Sequence, residues 1–252
     1  MQRRYITVDV FTDKAFGGNP LAVVLDAGGL STAQMQSIAR EFNYSETTFV
    51  LPPANPAHDA QVRIFTVNRE IPFAGHPNVG TAFVLATLAD KPPARLLFEE
   101  GAGLVPVEIR TEQGKVISTE LTAPQPLKRM SQLSAEQAAA CLSLSANDVK
   151  TDRHAPQIIS VGLSFLAVEL TSREALRRAK PDAAAFAKTF PCDGSDAIYF
   201  YTRDVPAGEK PCELQARMFH PGASGLSEDP RHRLCYRRRR GVARRSRFHT
   251  RR

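Results

Sequence analysis

No run of eighteen apolar residues occurs in this chain, and its opening, Met1-Gln2-Arg3-Arg4-Tyr5, passes straight into strand-like sequence. Neither a membrane-spanning helix nor a secretory leader is expected. Cysteine is sparse: Cys141, Cys192, Cys212 and Cys235 show no CxxC spacing and have no histidine beside them. That pattern supports neither a zinc site nor a disulfide framework, so reduced thiols and a cytoplasmic location are the expectation. GxxxxGK[ST], GxGxxG and HExxH are all missing, so no nucleotide or metal cofactor is expected. The isolated glycines of Ala27-Gly28-Gly29 and Gly101-Ala102-Gly103 read as turns rather than phosphate cradles. Finally, residues 231–252 contain no acid at all but eleven arginines. Residues 1–230 carry 22 Lys+Arg against 26 Asp+Glu, so the whole formal charge of +7 arises in the tail. An arginine-rich tail can bind phosphate backbones, which makes a nucleic-acid-binding protein the alternative reading. The acidic balance of residues 1–230, with no basic patch, argues against it.

What the chain does have is one pattern written twice, 154 residues apart. The first copy is Gln61-x-Arg63-x-Phe65 followed by Gly75-His76-Pro77; the second is Gln215-x-Arg217-x-Phe219 followed by Glu228-Asp229-Pro230. Each alternating strand leads through a loop to a polar residue directly before proline, 16 residues after the glutamine in one copy and 15 in the other. Proline suits the first turn of a helix, and a helix N-terminus favours anions. Two such units facing each other would bring His76 and Asp229 to one cleft, the candidate active site.

With 42% hydrophobic residues over 252 positions the chain is long enough for two domains. Strands are expected at 5–11, 21–25, 46–51, 60–66, 95–99, 103–110 and 115–121. Ser31-Thr-Ala-Gln34 is a capping-box pattern opening a helix that ends near Asn43, and residues 78–89 form a second helix. That helix offers Val79, Ala82, Phe83, Ala86 and Leu88 as core. A linker containing Pro124 and Pro126 precedes a second capping box, Ser134 to Gln137, and a helix near 135–142. Strands near 157–161, 164–170 and 197–201 follow, with helices at 172–179 and 182–189 between the last two. Short strands with few helices indicate an α+β fold rather than regular βαβ alternation. The divisions are a first half 1–125, a second half 126–230 and an aberrant tail 231–252.

The stretches FGGNPLAVV (16–24), SETTFV (45–50) and EIPFAGHPNVGTA (70–82) resemble signature segments of the PhzF-like family, named for an isomerase of phenazine biosynthesis. RMFHPGASGLSEDP (217–230) is similar to that family's second-half motif, which normally runs on as DPATGSA. The resemblance spans residues 4–230. It implies a diaminopimelate-epimerase-like fold: two pseudo-symmetric halves, each a curved sheet around a central helix, with the site between them and the second half incomplete here. It further implies a cofactor-free isomerase acting on a small, carboxylated molecule, and a homodimer in the intact form.

Glu46 begins a strand directly after a helix, where a carboxylate whose pKa is raised by burial can move a carbon-bound proton. The likeness of SETTFV to the family's catalytic glutamate segment assigns it that role. His76, at a helix start, can donate a hydrogen bond or proton to substrate, and Asp229 occupies the matching place in the second half. Asn19, in a tight loop, and Gly75, Pro77 and Asn78, at the helix start, are candidate substrate-binding positions. Neither GGNP nor the second-half motif contains a cysteine, which disfavours the two-thiol racemase chemistry of related enzymes of this fold.

After Pro77 the chain runs on as the apolar helix PNVGTA; after Pro230 it runs on as RHRLCYRRRRG. With codons chosen within the degenerate code, reading that stretch one base on yields ATGSATAAAAA. PATGSA then parallels PNVGTA, so the tail is expected to be out-of-frame translation. An inactive remnant of the isomerase is compatible with this.

Overall fold

In the computed structural model the described residues are 2–12, 14–205, 214–222, 225–228 and 235–236. Asp229, Pro230 and nearly all of the arginine-rich tail lie outside them. The described residues divide between Gln125 and Pro126 into two compact units. None of their helices is long and apolar enough to cross a membrane.

The first unit contains β1 (Tyr5–Val10), β2 (Asn19–Val24), α1 (Thr32–Phe42), β3 (Glu46–Leu51), β4 (Ala60–Phe65), β5 (Glu70–Ile71), α2 (Gly75–Leu88), β6 (Arg95–Glu100), β7 (Gly103–Glu112) and β8 (Lys115–Leu121). Its sheet runs β1-β2-β3-β4-β6-β7-β8, with β5 as a short partner of β4. The sheet curls around α2, which packs against β1, β2, β3, β7 and β8. The sequence of α2, GHPNVGTAFVLATL, has no charged side chain and is buried at ten positions. A helix that is apolar on every side belongs inside a core. At Gly80 a Cβ would come within 2.6 Å of Leu21 and 2.8 Å of Val10, so β1 and β2 rest on the helix backbone itself. Buried hydroxyls are satisfied across the same contact: Thr48 and Thr81 lie 2.8 Å apart, and Thr119 donates to the Val79 carbonyl at 2.8 Å. Leu88, expected in the core, ends the helix and is half exposed.

Helix α1 covers the opposite face of the sheet, with Met35 and Ala39 against Val24, Phe49 and Phe65. Its capping box forms between Ser31 and Gln34, and Asn43 closes it in the left-handed region at φ 53°. Helix α2 begins at Gly75, three residues before its expected start, with Ala74 as N-cap. Pro77 is therefore its third residue. There the missing N–H is one that would have no intrahelical acceptor, so proline does not delay the helix.

The second unit contains β9 (Lys128–Gln132), α3 (Ala135–Cys141), β10 (Gln157–Ser160), β11 (Ser164–Leu170), α4 (Arg173–Arg178), α5 (Ala183–Thr189), β12 (Ile198–Thr202), β13 (Leu214–Gly222), β14 (Gly225–Glu228) and β15 (Cys235–Tyr236). The sheet order is β14-β13-β12-β11-β10-β9, with β15 on β13. Leu166, Val168, Ile198 and Phe200 face a core shared with α3, α4 and α5. β9 occupies part of the stretch that reads as a linker. Its residues are mostly exposed, and only its pairing with β10 makes it a strand.

The repeat in sequence is also a repeat in structure. Phe49 lies opposite Arg63 and Phe65 opposite Glu70; in the second unit Phe200 lies opposite Arg217 and Phe219 opposite Glu228. Arg63 donates through Nε and Nη2 to Glu70 at 2.7 and 2.6 Å, with its guanidinium 5.2 Å above the Phe65 ring. Arg217 does the same to Glu228 at 2.8 Å for both bonds, 5.2 Å above Phe219. A two-pronged charge-assisted bond plus a cation–π contact is what the QxRxF alternation encodes. The copies differ in burial. Arg217 and Glu228 side chains are 10% and 25% exposed, and Arg217 also donates to the Leu176 and Ala179 carbonyls at the end of α4. The Arg63 and Glu70 side chains are 24% and 37% exposed. Arg217→Met is therefore expected to cost about 3 kcal/mol, because it takes the guanidinium from a partly buried carboxylate and from two helix-end carbonyls. Arg63→Met should cost about 1 kcal/mol or less. Urea denaturation of the two variants measures the difference; equal losses would contradict it.

Beyond β5 the first unit continues into α2 and β6 to β8. The described α-helices of the second unit are α3, α4 and α5, whose buried residues share one core with its sheet.

Candidate active site

Strand alternation delivers two polar side chains to the α2 side of the first sheet. Phe49 faces α1 while Thr48 meets Thr81 of α2, so Glu46, two residues before Thr48, shares the α2 side. Leu21 packs on Gly80, and Asn19, two residues before it, falls on the same side. β2 and β3 are parallel with Leu21 opposite Glu46, which brings the two positions close. Gly18 permits the approach to β2, since a Cβ there would lie 2.2 Å from the Val10 carbonyl oxygen.

The result is a chain of contacts. Ser45 Oγ donates to Asn19 Oδ1 at 3.2 Å, and Asn19 Nδ2 donates to His76 Nδ1 at 3.4 Å. His76 Nε2 stands 3.4 Å from Glu46 Oε2, with the two side chains 4% and 12% exposed. An amide nitrogen can only donate, so in this arrangement His76 Nδ1 accepts and the neutral ring carries its hydrogen on Nε2, toward Glu46. Asn19, read from sequence as a loop residue, is the first residue of β2 and sets the tautomer of His76.

The start of α2 differs from those of the other described α-helices. Ser31, Ser134, Ser172 and Asp182 cap α1, α3, α4 and α5 through their side chains, whereas Ala74 offers α2 no side-chain cap. At Gly75 a Cβ would meet nothing within 4 Å, so the space beside that turn is open. Uncapped N–H groups at the positive end of a helix suit an anion. Pro77 and Asn78 are buried beneath this turn, and Asn78 Nδ2 donates to the Ala74 carbonyl at 2.9 Å. Of the residues singled out in sequence, Asn19, Glu46, His76 and Gly75 come together around the start of α2. Pro77 and Asn78 support them from inside, and Asp229 lies outside the described residues.

Two polar neighbours escape the sequence reading. Ser45 orients Asn19. Glu100, the last residue of β6, has both carboxylate oxygens buried, next to Asn78; burial pushes its pKa up to about 8. The signal for Glu100 is present in the strand: Leu96 and Phe98 face inward, and a period of two puts Glu100, not Glu99, in phase with them.

A carboxylate and an imidazole within reach of each other, beside an open anion-receptive helix start, can take up and return a proton at a bound acid. Known proteins are similar to this chain. The phenazine biosynthesis-like protein family model, PhzC-PhzF, matches residues 8–231. An uncharacterized isomerase of Mesorhizobium japonicum is 39% identical over 90% of this chain and 76% of its own length. Trans-2,3-dihydro-3-hydroxyanthranilate isomerase of Pseudomonas aeruginosa is 38% identical over 90% of this chain and 74% of its own length. The structure of a PhzF-family phenazine biosynthesis protein of Bacillus anthracis superposes with a TM-score of 0.67 at 29% identity, covering 89% of this chain and 74% of that one. A protein of Agrobacterium radiobacter described as a probable proline racemase, at 14% identity and a TM-score of 0.55, shares the fold.

Proposed function

The chain belongs to the phenazine biosynthesis-like family, whose curated relatives include named isomerases, and on that premise we propose an isomerase that moves a carbon-bound proton on a small carboxylated metabolite. The observation that carries this reading is the 3.4 Å approach of Glu46 to His76 at the uncapped start of α2. The substrate carboxylate is held by the N–H groups of that turn. Glu46 takes a proton from one carbon, the C–H electron pair becomes a π bond, the adjacent double bond shifts, and the proton is returned to a remote carbon. No oxidant or reductant is consumed. His76 positions the substrate or assists the transfer. For Asp229 the assignment rests on sequence alone: it stands directly before proline, as His76 does. The dihydro-hydroxyanthranilate named for the Pseudomonas relative is one member of the substrate class to try.

We further propose that the chain as written is impaired, its segment after Pro230 being out-of-frame translation. The test of function therefore uses the frame-restored protein. Incubated with candidate unsaturated acids, it is expected to isomerise them at a rate undiminished after dialysis against EDTA, and a substrate deuterated at the carbon that Glu46 deprotonates should react more slowly in that step. Activity lost to the chelator and regained with a divalent ion, or isomerisation in which that carbon–hydrogen bond is never broken, would count against the mechanism.

A further inference from the structure

His154, Tyr201 and Glu169 form a polar cluster in the second unit that the proton transfer just described does not use. Val168, Leu170 and Phe200 belong to the core shared with α3, α4 and α5. Glu169 and Tyr201, directly opposite each other on β11 and β12, therefore project from the other face of the sheet. The Glu169 side chain is 1% exposed. Its Oε2 accepts from the Tyr201 hydroxyl at 3.3 Å, while its Oε1 makes no hydrogen bond and stands 3.7 Å from Arg203 Nε. His154 Nε2 lies 2.7 Å from the same hydroxyl, with the two rings stacked at 27°. His154 Nδ1 lies 2.8 Å from the Ala155 carbonyl oxygen. The histidine belongs to residues 150–156, which form neither helix nor strand.

The hydrogens available fix the direction of these bonds. A carbonyl oxygen only accepts, so His154 Nδ1 carries a hydrogen. The tyrosine hydroxyl has a single hydrogen, and once that is given to Glu169 its oxygen can only accept from His154. Nε2 must then carry a hydrogen as well, and the ring is an imidazolium. With Nε2 bare, the hydroxyl turns to it instead, and the buried Glu169 carboxylate loses the Tyr201 donor. We propose that His154, Tyr201 and Glu169 are a proton-gated latch between the segment ahead of β10 and the β11–β12 pair, closed when His154 is doubly protonated and released when Nε2 is bare.

Closing the latch binds one proton from solvent. It is therefore favoured as pH falls and lost as pH rises through about pH 5 to 8, where histidine changes charge. Burial, and after it the charge of Glu169, holds the Tyr201 hydroxyl above its ordinary range, so the tyrosine keeps its hydrogen throughout. Glu169 favours the cation at His154, and Arg203, 5.8 Å from the centre of the Tyr201 ring, opposes it. On the histidine's own segment Lys150 and Asp152 pair with each other at 3.7 Å, and Arg153 is exposed. On β10, Gln157 accepts from Arg129 of β9 and donates to the Met130 carbonyl. On β13, Ala216 lies opposite Tyr201 and brings no charge.

Deuterium uptake at the imidazole Cε1 position, measured by mass spectrometry of peptides from the dilute 252-residue chain, follows ring protonation at each histidine separately. The pH midpoint of uptake at His154 is expected to fall by about one pH unit or more in Tyr201→Phe, the scale of a hydrogen bond to a charged group. That variant keeps the stacked ring and removes only the hydroxyl. Glu169→Gln removes the anion at the other end of the latch and should lower the midpoint similarly. Arg203→Gln leaves the Glu169 charge to Tyr201 and His154 and should raise it, a direction that loss of folding would not produce. His58, in the first unit, should keep its midpoint in all three variants. An unchanged His154 midpoint in Tyr201→Phe or Glu169→Gln, an unchanged or lowered one in Arg203→Gln, or equal movement of His58 would each overturn the proposal. Because no readout involves turnover, failure of the isomerase reading would leave this result standing, and the reverse.

Discussion

Glu46→Gln in the frame-restored protein is expected to slow solvent exchange at the substrate carbon by at least ~100-fold, the lower end of general-base contributions. The substitution is chosen because it separates chemistry from shape. Glutamine has the size of glutamate, and its carbonyl oxygen can occupy the place of the Glu46 Oε2 that stands 3.4 Å from His76 Nε2. The Ser45–Asn19–His76 contacts do not involve the lost charge, so the start of α2 and its grip on the substrate carboxylate should persist. The loss should therefore appear in kcat with KM little changed, as for an interaction made only in the transition state. Near-normal exchange would remove Glu46 from the mechanism, and an increase in KM alone would make it a binding residue.

Much of this site is legible in sequence because it is built from local rules. The Ser31 and Ser134 capping boxes form as their spacing requires, and the strand after α1 starts at Glu46. What sequence could not supply depends on partners from elsewhere in the chain. The QxRxF repeat is visible, but Glu70 and Glu228, which complete each arginine clamp, lie across hairpins of unequal length: four residues separate Phe65 from Glu70 and eight separate Phe219 from Glu228. Asn19 reads as a turn residue because its function comes from β3 and α2, neither of which is local to it. β9 has no inward-facing pattern of its own and exists through β10. Glu100 looks like one of two strand-end acids until its phase with Leu96 and Phe98 is matched to a buried face.

The 252-residue chain as written is expected to be poorly soluble, to be cleaved near residues 222–235 and to lack measurable isomerase activity, with the first unit better protected than the second. The two units share a plan up to the hairpin: parallel strands joined through helix, then an antiparallel pair carrying the arginine clamp. The first unit then inserts α2, and Val79, Ala82, Phe83 and Ala86 are buried by the sheet curled about it. At the same point in the second copy the sequence supplies Arg237-Arg-Arg-Arg240 instead of an apolar helix. Burying even one unpaired arginine costs several kcal/mol, comparable with the ~5–15 kcal/mol that holds a whole domain together. Such a segment cannot fill a core, so the face of the second sheet away from α3, α4 and α5 should go without the helix that the repeat calls for. The frame-restored sequence, with PATGSA in the place of PNVGTA, removes the charge and supplies small residues where Gly80 lets β1 and β2 rest on α2. It should show a single cooperative thermal transition and resist proteolysis in its second half. The gene's nucleotides decide the premise, since an in-frame arginine run shared by related genes would refute it. The same cooperative transition in the 252-residue chain, with its second half undigested, would refute the consequence.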